Sequence, residues 1–83
     1  MIVVAQTEQG VLLGQALNSV DAITIAEANK VPIGNIMTYK FAGEEKIFNE
    51  LIALLNHKRL SDYQFKASSA TYQFIIDKLN DNI

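Results

Sequence analysis

Apolar and polar positions follow two rhythms along this chain, one of period two and one near 3.6. The helical rhythm is clearest from Gly43 to Asn56. At about 100° per residue, Ile47, Phe48, Leu51, Ile52, Leu54 and Leu55 fall within one arc of roughly 160°. Lys46, Asn49, Glu50, Asn56 and His57 fall on the other side. Glu44 and Glu45 stand at the positive end of the helix dipole, and His57, Lys58 and Arg59 at its negative end. The arc is too wide for a coiled-coil seam and suits a helix lying flat on a sheet.

The period of two comes first in the chain. Ile2 to Gln6 is a β-branched strand, Thr7-Glu8-Gln9-Gly10 a turn in which Gly10 can take a positive φ, and Val11 to Leu17 a second strand. Val11, Leu13, Gln15 and Leu17 share one face of it, and Leu12, Gly14 and Ala16 the other. Gly14 marks a bulge or a place where another group packs on the backbone.

Two patterns compete from Asn18 to Lys30. Ser19 followed by Asp21, with Ala22, Ala26 and Ala28, suits a helix. Ala22-Ile23-Thr24-Ile25-Ala26 alternates with β-branched residues, and we read the segment as a strand on that ground. Pro32 disfavours helix at Val31. Ile33 to Phe41 resumes as a strand, with Met37, Tyr39 and Phe41 facing the core. Leu60 to Ala67 alternates again, with Tyr63, Phe65 and Ala67 on one face. Ser68 and Ser69 offer caps for a last helix over Ser69 to Asn80, whose buried stripe is Tyr72, Ile75, Ile76 and Leu79.

These elements predict one α+β domain over residues 1–83. It is a small antiparallel β-meander of three or four strands followed by helix–strand–helix, with both helices packed on one face of the sheet. The 49% hydrophobic share, spread along the whole length, predicts a folded chain with a small core.

Composition acts mainly by exclusion. A net charge of −2 gives no electrostatic case for nucleic acid or for an anionic membrane. With no cysteine, disulfides, thiolate metal sites and cysteine nucleophiles are ruled out, which fits a cytosolic protein. The opening residues lack a basic n-region and their apolar run is too short for a signal peptide, and no run approaches the roughly 20 apolar residues of a membrane span. No cofactor is implied.

Candidate chemistry is sparse. His57 is the only histidine, without a second His or Cys to share a metal, and at a helix end it complements the dipole. His57-Lys58-Arg59 and Lys66 form a small basic cluster, offset in charge by Glu44, Glu45 and Glu50. Lys66, Ser68 and Ser69 at a strand-to-helix junction are candidate anion contacts, although serine is also an ordinary N-cap and no glycine-rich loop accompanies them. Glu44–Glu45 and Asp77–Asp81 read as solvated faces rather than acid pairs.

Phe74 is the informative oddity, because it lies opposite the buried stripe of the last helix, with Ala70 on the same side. These two residues are the candidate self-association surface.

The order hairpin, second hairpin, helix, strand, helix is similar to the ribonuclease H-like layout, and also to that of small nitrogenase-cofactor-binding domains. The first resemblance implies an acidic catalytic cluster, of which only Glu8, after Thr7, stands in place. The second implies a His or Cys in the first turns, where this chain has neither. No family follows from element order alone. The reading that remains is a small non-enzymatic intracellular module acting through protein contacts as a homodimer. The alternative is a small-ligand or anion-binding domain at Ser68–Ser69.

Overall fold

A computed structural model describes residues 1–83. Its central strand is β1 (Ile2–Gln6), whose register with β2 (Gly10–Gln15) places Val4 opposite Leu13. The loop joining them is Glu8-Gln9, closed by backbone bonds between Thr7 and Gly10 at 2.9 and 3.2 Å. A Cβ at Gly10 would lie 2.2 Å from Ala67 N and 2.3 Å from Phe65 O. Only glycine lets the chain at 65–67 pass this close.

Two short strands complete the sheet. β3 (Met37–Tyr39) pairs with β1, and β4 (Gln64–Lys66) with β2, so the order is β3-β1-β2-β4 with every pair antiparallel. This is the α+β, antiparallel class that the sequence predicts. The hairpin strands are neighbours in both chain and space, while β3 and β4 sit at opposite edges and are joined through α2 (Glu44–Leu55).

Alternation along the strands builds two apolar layers. Ile2, Val4, Val11, Leu13, Tyr39 and Phe65 form one with Leu51 and Leu55 of α2 and with Ile75, Ile76 and Leu79 of α3 (Ser69–Asn80). Val3, Ala5, Leu12 and Ala16 form the other with Ala22, Ile25 and Ala26 of α1 (Ser19–Ala28), together with Val31. The two predicted helices therefore share a face, and a third helix covers the opposite one. Each leucine- or isoleucine-sized side chain removed from water contributes roughly 2 kcal/mol.

That third helix overturns the strand read over Ser19–Asn29. Local bonds at both ends outweigh the β-branched run in its middle. Asn18 Oδ1 accepts from Asp21 N–H at 2.9 Å, and Asp21 Oδ2 accepts from Leu17 N–H at 2.8 Å. At the C-terminus, Lys30 N–H donates to Glu27 O and Val31 N–H to Ala26 O, with Lys30 at φ 58°. This is a Schellman closure, with its apolar contact between buried Val31 and Ala26.

Other elements are shorter than predicted. β2 stops at Gln15, and Leu17 is 91% exposed. The segment before β3 makes a 3₁₀ turn at Ile33–Asn35, and Met37 is 38% exposed at the sheet edge although Tyr39 is buried. Tyr63 does not share a face with Phe65. It packs on the α1 side, where a Cβ on Gly14 would come within 2.7 Å of its ring. Gly14 is thus a close-approach glycine. α2 begins one residue after Gly43, which serves as N-cap at φ 81°, and Asn56–Lys58 form a separate 3₁₀ turn. No helix is long and apolar enough to cross a membrane.

Candidate functional site

α2 and α3 lie side by side on one face in opposite directions. Glu50 meets Lys78 at 3.4 Å near one end, and Leu54 and Leu55 stand beside Phe74 near the other. At that second end the helices part over β4. α2 gives way to the 3₁₀ turn at Asn56–Lys58, and α3 begins only after Lys66-Ala67-Ser68. The gap is an open groove of about 750 Å³. Its floor is Leu54, Leu55, Ala67, Ala70 and Phe74, and its rim is Gln9, His57, Lys58, Lys66, Ser68 and Thr71.

The structure therefore gathers most of the residues singled out in the sequence. Phe74 and Ala70 share the groove with Lys66 and Ser68, and Phe74 is 52% exposed. Ser69 is not among the lining residues, and its Oγ accepts from Gln6 Nε2 at 3.4 Å. Ser68 Oγ is the α3 N-cap, accepting from Thr71 N–H at 3.1 Å. Capping thus occupies the hydroxyl that an anion would otherwise meet.

Leu54 is the groove residue that sequence reasoning missed. It sits at the border of the α2 arc, where the wheel assigned it to the core. It is instead 47% exposed, in the same groove as Phe74. Its signal in the sequence was its place at the edge of an arc wider than one sheet face can cover.

Charge around the groove is one-sided. No aspartate or glutamate lines it, although acidic residues outnumber lysine and arginine nine to seven in the whole chain. The two ion pairs of the molecule, Met1–Glu44 and Glu50–Lys78, leave Lys58 and Lys66 without a carboxylate partner. Arg59 does not join them. Its guanidinium lies 4.7 Å from the Phe65 ring centroid and donates to Ser61 O and Asp62 O, holding the loop before β4. The basic run read in the sequence thus splits into one structural arginine and two groove residues.

The groove offers no charged catalytic pair. His57 is exposed on the rim with no lining carboxylate to pair with, and Glu44, at the start of α2, is committed elsewhere. Its Oε1 meets the Met1 α-amine at 2.8 Å and its Oε2 accepts from Phe41 N–H at 3.2 Å. Those bonds, the α-amine first, hold the Glu44 carboxyl below its ordinary range. No group of three His, Cys, Asp or Glu side chains comes together to hold a metal.

Comparison with known proteins adds no constraint: no family model matches this chain, and neither curated proteins nor solved structures provide a match.

Proposed function

We propose that this chain is a small non-enzymatic module that works through protein contacts, in its simplest form as a homodimer joined at the groove. The observation that carries the reading is the exposure of Phe74 and Leu54 in one groove with an apolar floor. Exposed aromatic side chains gathered with other apolar groups in one patch mark contact surfaces rather than solvated helix faces. Sedimentation of the wild-type chain and of Phe74→Asp tests it. The expected result is a reversible dimer at high concentration, weakened at least about tenfold by the substitution, as for a central interface aromatic. A strict monomer at every concentration, unchanged by Phe74→Asp, removes the homodimer.

A second reading is an anion-binding junction at Lys66, Ser68 and Ser69, favoured by the unpaired Lys66 and opposed by the capping role of Ser68 and the place of Ser69 outside the groove. Binding to the native state alone must raise the melting temperature. Inorganic phosphate that leaves the melting temperature unmoved at millimolar concentration disposes of it.

A further inference from the structure

The groove joins an apolar floor to a rim whose only full charges are positive, and that pairing of properties constrains what covers it. A second copy meeting this surface about a twofold axis presents the same patch to itself. Lys58 and Lys66 then face a surface that also holds Lys58 and Lys66, with no lining carboxylate on either side to offset them. Lysine is depleted at interface centres, and like-charge juxtaposition opposes association. A homodimer at this site is therefore weak and strengthened by salt, which screens the repulsion.

A different occupant matches both properties at once. We infer that the groove is a docking site for a short acidic segment of another protein, with apolar side chains that enter between Leu54, Ala70 and Phe74 and carboxylates that reach Lys58 and Lys66. The charge complementarity is the argument. The segment neutralises two cations that nothing in the molecule pairs, and it covers the apolar surface that nothing in the molecule buries. The groove is open along its mouth, with Leu54 and Phe74 about half exposed and Leu55 buried beneath. A small molecule there stays largely wet, whereas a peptide segment spans the opening. The inference rests on the reading of the groove as a protein-contact surface. It adds that the heterologous partner and the second copy compete for it, with opposite responses to salt.

Fluorescence anisotropy with a dye-labelled peptide tests this. The probe carries leucine and phenylalanine on one helical face flanked by glutamates, and its control has every glutamate replaced by glutamine. Protein is held below the concentration at which sedimentation detects dimer. The expected result is saturable binding of the glutamate peptide, at least about tenfold tighter than the control and weakened by added salt. Phe74→Ala loses binding of both peptides. Lys58→Glu with Lys66→Glu loses preference for the acidic one. Both lysines are exposed, and circular dichroism checks that the double variant is folded. Equal binding of the two peptides, or a preference that survives the double charge reversal, overturns the acidic partner while leaving the contact surface standing. Binding of neither peptide overturns the docking site. A salt-strengthened dimer in that case leaves the homodimer in place, and a strict monomer removes both.

Discussion

Lys30 is the single non-glycine residue with a positive φ, and the reason is local. It occupies the left-handed position that closes the Schellman turn of α1, where the Val31 and Ala26 contact over-determines the backbone. A side chain there costs roughly 1 kcal/mol that glycine avoids, part of which glycine returns through its freer unfolded state. Lys30→Gly is expected to raise stability by up to about 1 kcal/mol, read as a higher urea midpoint with an unchanged slope.

Glu44 gives a second residue-scale expectation. Its carboxyl is held below the ordinary carboxylate range in the folded state. Its contribution is therefore present above the unfolded value and is lost as pH falls through the folded one. Glu44→Gln should lower stability at neutral pH and flatten the acid limb of a plot of melting temperature against pH. An acid limb unchanged by the substitution contradicts the ion pair.

Among elements, the contrast between α2 and α1 shows what a sequence pattern can and cannot carry. α2 and α3 were legible because leucine and isoleucine at helical spacing leave little alternative, and the start of α3 at Ser69 was marked by Ser68. α1 was not. Its sheet-facing positions include Ala22 and Ala26, small residues that let the helix approach closely but add almost nothing to an amphipathic signal. The Ile23-Thr24-Ile25 run imitates a strand. The deciding groups were Asn18 and Asp21, whose side chains close the first turn. Asn18→Ala is accordingly expected to cost about 1 kcal/mol, with faster hydrogen exchange at the amides of 21–24 and little change in β1. The groove was only half legible for a different reason. Phe74 announces itself against its own helix, but Leu54, Lys58 and Lys66 reach it from two other segments, and no local pattern records a meeting set by how two helices diverge. Tyr63 escaped the period-two rule because Gly14 opens a space for its ring on the far face.

Across the whole molecule, the two apolar layers are unequal. Two helices with five buried residues between them cover one face of the sheet, and a single ten-residue helix with three covers the other. The α1 layer has less to hold it and is expected to open as a unit at lower free energy than the rest. Native-state hydrogen exchange should find the amides of 22–28 less protected than those of Val3 and Val4. Uniform protection across α1 and β1 would show instead a single cooperative unit.

The place of β1, with Ile2, Val3, Val4 and Ala5 all sealed from water on both faces, also bears on how the chain comes off the ribosome. The hairpin is synthesised before either strand that will flank it, and each flank arrives by way of a helix. Until then the nascent ribbon carries two raw borders and two greasy sides. In that interval it is a natural client for a chaperone, and slowed translation between Gln15 and Gln64 is where this protein should be most prone to clump.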